Sequence, residues 1–256
     1  MAETPTVIAV AGKGGTGKTS LCGLILKSLI SHKLSPVFAV DADPNHNLGE
    51  SLGLKITKTI GSMRETFYDA PDAVPAGMDR SNYLQLHMNQ LLIEKSDFDL
   101  LVMGRQEGPG CYCFANNILR RFLDEMSENY PVVLTDNEAG MEHLSRRTSG
   151  RIDHLWLISD HSVRGLMAAE RIVTLKKELK LNVGKVGVII NRIPDTLHPD
   201  LAAKIQDMGI ELLACVSEDP LLSDYDLSGQ SILDLPETSL AFKAVNDLVN
   251  REIKQR

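Results

Sequence analysis

The sequence predicts an α/β fold, a doubly wound and mostly parallel sheet, and three observations point to it. Short apolar runs alternate with stretches of helical periodicity along the 256 residues, the pattern of parallel strands joined by crossover helices. A glycine-rich loop, Gly12-Lys-Gly-Gly-Thr-Gly-Lys-Thr19, stands between the first run and the first helical stretch. Acidic residues at Asp41, Asp43 and Asp136 close or follow two later runs, and in sheets of this kind ligands gather at the carboxyl ends of the strands.

The elements follow in order. Thr6-Val-Ile-Ala-Val-Ala11 reads as a buried strand, and Thr19 to Ser31 carries apolar residues at helical spacing. Further strands are expected at Pro36–Val40, Phe98–Met103, Pro131–Thr135, His154–Ile158, Lys185–Ile190 and Glu211–Cys215, with helices at Asn116–Ser127, Val163–Leu179 and Pro199–Met208. The stretch 60–95 lacks a clear strand and reads as an irregular, partly helical insertion. Leu240, Val245, Leu248, Val249 and Ile253 fall near one helical face, the pattern of a last helix packed on the sheet rather than of a membrane-binding tail. With no repeat, linker or low-complexity tract, residues 1–256 read as one domain, and 43% hydrophobic with 24% charged residues is an ordinary globular balance.

A net charge of −7 supplies no general basic field, so neither nucleic acid nor an anionic membrane is expected as a partner. No stretch approaches the roughly 20 apolar residues of a membrane span, and the first apolar run is broken by Gly12 and Lys13 rather than by a cleavage site. A cytoplasmic location is therefore expected. Four cysteines, Cys22, Cys111, Cys113 and Cys215, form no evenly spaced disulfide framework. Cys22 on the first helix and Cys215 at a strand end read as small core residues.

Gly12 to Thr19 fits the template G-x-x-x-x-G-K-[ST]. In such a loop the backbone of Gly12, Gly14, Gly15, Thr16, Gly17 and Ser20 would cradle phosphates, Lys18 would reach the β- and γ-phosphates, and Thr19 would ligate Mg²⁺. Lys13 is not required by that template. Its presence resembles the deviant phosphate-binding loop of a P-loop family that includes the nitrogenase iron protein, the arsenite and tail-anchored-protein ATPases, and the septum-site and partition ATPases. The resemblance implies that Lys13 crosses a subunit interface to the partner's phosphates, and hence a nucleotide-dependent homodimer.

Asp43-Pro-Asn-His-Asn47-Leu matches the switch I pattern of the same family, which makes Asp43 the candidate for activating the lytic water; capping of the following short helix by Asp41, Asp43 and Asn47 is the plainer alternative. Asp136 ends an apolar strand in the manner of a Walker-B acid that reaches Mg²⁺ through water, and Gly140 would let a backbone N–H approach the γ-phosphate. The catalytic candidates are accordingly Lys13, Lys18, Asp43 and Asp136. Asn191-Arg192-Ile193-Pro194 has proline where a guanine-reading aspartate would stand, so ATP is the expected nucleotide, with Asn191 and Arg192 at the base and Ser217 to Pro220 closing its other side.

Gly108-Pro-Gly-Cys111-Tyr-Cys113 is the most distinctive segment outside the nucleotide motifs. One chain offers two thiolates there and a two-fold dimer four, a set suited to tetrahedral Zn²⁺ or to Ni²⁺. Together with Asp136-Asn-Glu-Ala-Gly140-Met-Glu-His143, the stretch Gly104 to Cys113 resembles the CooC-type nickel-insertion ATPases. The resemblance implies an ATP-hydrolysing metallochaperone whose client is carbon monoxide dehydrogenase, or acetyl-CoA synthase for a close relative, with ATP, Mg²⁺ and Ni²⁺ or Zn²⁺ as its ligands. His143 follows switch II and reads either as a sensor or extra ligand or as a structural hydrogen-bonding residue.

Overall fold

The computed structural model describes residues 4–63, 77–104, 122–137, 151–194 and 196–254. Within them the chain runs through β1 (Thr6–Gly12), α1 (Lys18–Ser31), β2 (Val37–Asp41), α2 (Asn47–Ser51), α3 (Arg80–Asn89), β3 (Ile93–Glu94), β4 (Phe98–Val102) and β5 (Val132–Asp136). It continues through β6 (Ile152–Asp160), α4 (Val163–Glu178), β7 (Val183–Ile193), α5 (Pro199–Asp207), β8 (Glu211–Ser217), α6 (Pro220–Ser228), a 3₁₀ turn at Ile232–Asp234 and α7 (Leu240–Val249), which a π turn extends through Asn250–Lys254.

The described strands form one sheet in the order β3-β4-β2-β5-β1-β6-β7-β8, parallel throughout except for the β3–β4 pair. From β1 the chain builds β2 and β4 on one side, returns to β5, and crosses to build β6, β7 and β8 on the other. That reversal opens a crevice at the carboxyl end of β1. Strands buried on both faces read as continuous apolar runs, which is why all seven longer strands stand where the sequence puts them.

Alternation along β1 assigns the two layers. Ile8 and Val10 meet Leu21, Ile25 and Leu29 of α1 and Val245 and Leu248 of α7, whereas the small Ala9 and Ala11 face Leu166 and Ala169 of α4. On the second face, around β2 and β4, Phe38, Val40, Leu101, Met88 and Phe122 form a further cluster, with Phe38 stacked on Tyr130 at 5.1 Å. The last helix packs as expected, with Phe242, Val245, Leu248 and Val249 buried, and Ser239 accepts the Phe242 N–H at 3.0 Å as its N-cap.

Three expectations need correction. Leu240 is 56% exposed, because it is the first helical residue and lies off the buried stripe of α7. Cys215 is exposed rather than a core residue, since the side chains of the edge strand β8 that bury are Leu213 and Val216. The 60–95 stretch contains, besides α3, the edge strand β3, paired antiparallel through Ile93↔Leu100 and Glu94↔Asp99. Cys22 is fully buried, as expected, and burial raises its thiol pKa well above the ordinary value.

Candidate nucleotide site

The loop after β1 is held by close approaches that exclude side chains. A Cβ at Gly12 would meet the Ile158 carbonyl oxygen at 2.2 Å, and one at Gly17, whose φ is +83°, would strike the Asn191 amide nitrogen at 2.4 Å. Gly17 is also the N-cap of α1 and supplies no side chain to the helix amides, and the first turn carries no acid. The helix N-terminus is thus left for an anion, with the positive end of its dipole toward the cavity.

Two side chains from the end of β7 tie this loop to the other half of the sheet. Asn191 donates to the Thr16 carbonyl at 2.9 Å, and Arg192 donates to the Gly15 carbonyl at 3.3 Å. Within the loop the Lys13 carbonyl accepts from the Thr16 hydroxyl at 2.8 Å and from Lys18 Nζ at 3.2 Å. Lys18 is buried while Lys13 is exposed, so the second lysine lends its backbone to its own loop and leaves its side chain to solvent.

Behind the loop stand two buried acids. Asp41 and Asp136 are register partners on β2 and β5, 0% and 1% exposed. Burial pushes Asp41 up to about 6 against the hydrogen bonds it accepts from the Asp43, Gly49 and Leu48 amides. Asp136 is pushed up to about 7, first by burial and then by the charge of Asp41, with Thr19 and Lys18 acting in the opposite direction. The Thr19 hydroxyl is the hydrogen-bonding group that acts on Asp136, but neither carboxylate oxygen meets it with full hydrogen-bond geometry. A buried carboxylate with two unsatisfied oxygens beside a loop threonine fits a hydrated divalent cation, for which Asp136 and Thr19 are the residues in place.

Of the residues weighed as helix caps, Asp41 does the capping: its Oδ2 accepts from Leu48 N at 3.0 Å and Gly49 N at 3.4 Å. Asp43 closes the turn before α2 by accepting from Asn45 N at 2.8 Å. Asn47 is exposed and begins α2, whose N-cap is His46. Sequence reasoning passed over Asn137, which is buried and donates to the Val10 carbonyl at 2.9 Å, fastening β5 to β1; its only sequence signal is its place directly after the strand-ending Asp136.

A cavity of about 560 Å³ lies over the loop, with Gly14, Gly15 and Gly17 to Ser20 on one side, Asp43, Asn47, Glu50 and Ser51 on another, and Arg192, Tyr225, Asp226 and Gly229 to complete it. A second cavity of about 420 Å³ shares Ser20, Arg192 and Asp226 with the first and is walled by Asn191 and Ser217 to Pro220. The structure thus gathers Gly14, Gly15, Gly17, Lys18, Thr19, Ser20, Asp43, Asn191 and Arg192 around two adjoining cavities, whose linings include neither Lys13 nor Asp136. Gly140, His143, Cys111 and Cys113 lie outside the described residues. Among the described residues no group of three or more His, Cys, Asp or Glu side chains is arranged to hold a metal ion, and no helix is long and apolar enough to cross a membrane.

The chain is 38% identical over 252 residues to an uncharacterized ATP-binding protein of Methanocaldococcus jannaschii, covering 98% of this chain and 99% of the relative. It is 28% identical over 240 residues to the carbon monoxide dehydrogenase accessory protein CooC of Rhodospirillum rubrum, covering 89% of each. Among solved structures it resembles the septum-site-determining protein MinD of Pyrococcus horikoshii, which is complexed with Mg-ADP, with a TM-score of 0.68 at 18% identity over 98% of this chain and 97% of the other. The model of the CobQ/CobB/MinD/ParA nucleotide-binding domain matches residues 7–232, and the chain belongs to that family.

Proposed function

We propose that this chain is an ATPase that closes as a homodimer around nucleotide and serves as a metallochaperone, assisting nickel insertion into carbon monoxide dehydrogenase. Acetyl-CoA synthase is the alternative client. The observation that carries the reading is the 28% identity to CooC across 89% of both chains, joined to the Cys111-Tyr-Cys113 pair in the sequence. A positioning or partition ATPase would share the nucleotide core and have no use for that pair.

In this reading the backbone amides of Gly14 to Thr19 hold the phosphates, Lys18 neutralises the β- and γ-phosphates, and Asn191 and Arg192 order the loop while flanking the base. Thr19 and Asp136 hold Mg²⁺, which when bound offsets the charge that develops on the transferred phosphoryl group. Asp43, at the cavity wall, orients the attacking water and accepts its proton. Lys13, exposed at the loop tip, completes the partner's site, where a cation acts most strongly on the developing charge. Gly140 reports the γ-phosphate to the segment that follows Asp136. Cys111 and Cys113 from two subunits make one four-thiolate site for Ni²⁺ or Zn²⁺.

Metal titration under reducing conditions tests this directly. About one Ni²⁺ or Zn²⁺ should bind per dimer, and affinity should differ between ADP-bound and ATP-bound protein, because the half-sites belong to different subunits. The Cys111→Ser/Cys113→Ser variant should lose tight binding while keeping its nucleotide affinity. Unaltered metal affinity in that variant would overturn the nickel-insertion reading and leave a dimeric ATP-driven switch whose cargo is unknown.

A further inference from the structure

A cavity of about 360 Å³ lies on the same side of the sheet as α1, beyond the nucleotide site, between the second half of α1, the chain after α2, the turn before β4 and the start of α7. Its walls are mainly apolar, with Ile30, Leu52, Leu54, Phe98, Leu233 and Phe242 contributing. Its size falls within the range of small-molecule pockets, near the lower end.

Lys27 lines this cavity and is half-buried. One of its three N–H donors goes to the Leu233 carbonyl, and its ammonium lies 5.2 Å from the centre of the Phe242 ring. Among the described residues no carboxylate lies within ion-pair distance of it; burial lowers its pKa, and the more distant charges of Asp234 and Glu237 act in the opposite direction. A half-buried ammonium with donors to spare, set in an apolar wall, calls for a monoanion whose remainder is apolar. The rim residues Asp97 and Glu237 disfavour a dianion such as a phosphate ester.

This cavity and the nucleotide cavity are lined by residues adjacent in sequence. Ser51 lines the nucleotide cavity and Leu52 this one; Ile232 lines the nucleotide cavity and Leu233 this one. The two pairs are fastened together where the Ser231 hydroxyl donates to the Leu52 carbonyl at 2.9 Å. Helix α1 likewise runs from Lys18 and Ser20 in one cavity to Lys27 and Ile30 in the other. A shift of α2 on nucleotide binding therefore changes both spaces at once.

We propose that this cavity is a regulatory site for a small amphipathic carboxylate, with Lys27 as its anion anchor, coupled to the nucleotide site through α2 and the 3₁₀ turn. The proposal does not depend on the metal reading. Sodium octanoate serves as the probe, with 1-octanol as the uncharged control, in calorimetric titration and in methyl NMR of Leu52 and Leu233. Octanoate should bind and shift both methyl signals, and should bind about tenfold or more tighter than octanol, as expected of a charge-assisted hydrogen bond. Lys27→Met, which keeps the apolar stem, should erase that preference, and Leu54→Trp should block both probes by filling the space. Octanoate should change ADP affinity by the same factor by which ADP changes octanoate affinity. Equal binding of octanoate and octanol, or full octanoate affinity in Lys27→Met, would overturn the anion site; a coupling factor of one would overturn its link to nucleotide.

Discussion

Asp41 and Asp136 face each other as register partners on adjacent parallel strands, both buried, yet unequally held: Asp41 accepts from the first amides of α2, while neither Asp136 oxygen meets a donor with full hydrogen-bond geometry, the Thr19 hydroxyl nearby included. Two acids this close repel, and burial raises both pKa values. The nucleotide-free protein therefore carries an electrostatic cost at Asp136 that a bound cation would relieve.

Asp136→Asn removes that cost at nearly constant shape. The nucleotide-free variant should melt about 2–4 °C higher than the parent, while the extra stabilisation from adding Mg²⁺ to ADP-bound protein should shrink. Thermal melts with ADP, with and without Mg²⁺, check both parts; an undiminished Mg²⁺ response would take Asp136 out of the cation site.

Asp43→Asn should leave ATP binding near the parent value and slow hydrolysis about a hundredfold or more, the usual reach of positioned acid–base catalysis. Single-turnover phosphate release measures this. Parental turnover would reassign the residue to the Asn45 turn it closes.

Lys13→Ala should bind nucleotide and fail to hydrolyse it. In mixed dimers with Asp43→Asn, the Lys13→Ala subunit keeps its own Asp43 and receives the partner's lysine, so part of the activity should return. Mixed dimers with no recovery would place Lys13 in its own subunit's site.

Asp219 caps α6 by accepting from Leu221 N at 3.0 Å, and its other oxygen accepts from the Ser239 hydroxyl and from Ala241 N at 2.9 Å. Burial raises its pKa, but these hydrogen bonds outweigh burial and hold it below the ordinary aspartate value. A lowered folded-state pKa means stability that is fully present above the unfolded value, about 3.9, and is lost as pH falls below it through the folded value. Asp219→Ala should cost about 1–3 kcal/mol at pH 7, with the gap narrowing below pH 4; urea melts at the two pH values measure it.

The longer strands and the phosphate loop were legible because their signals are local and redundant: β-rich apolar runs, glycines at the two close approaches, acids at strand ends. Helix α6 was not, since none of its side chains is buried and Pro220-Leu-Leu-Ser-Asp-Tyr-Asp-Leu-Ser228 has no apolar stripe; only the Asp219-Pro220 start announces it. Strand β3 is two residues long and is defined by its pairing to β4. The division of labour between Asp41 and Asp43 depends on which carboxylate the α2 amides reach, which is a matter of tertiary position. Cys111 and Cys113, the basis of the metal reading, lie outside the described residues.

Helix α6 walls both the phosphate cavity and its neighbour, and it does so with no fully buried side chain. Swinging it outward would uncover the partly buried Leu222 and Tyr225 and break the Tyr225–Asp234 hydrogen bond while leaving the sheet intact, whereas moving the opposite, loop-bearing wall would break the Asn191 tether. The two walls of the nucleotide space are thus held by different means, one by a tether between the phosphate loop and the sheet and the other by the partly buried residues and the cap of α6.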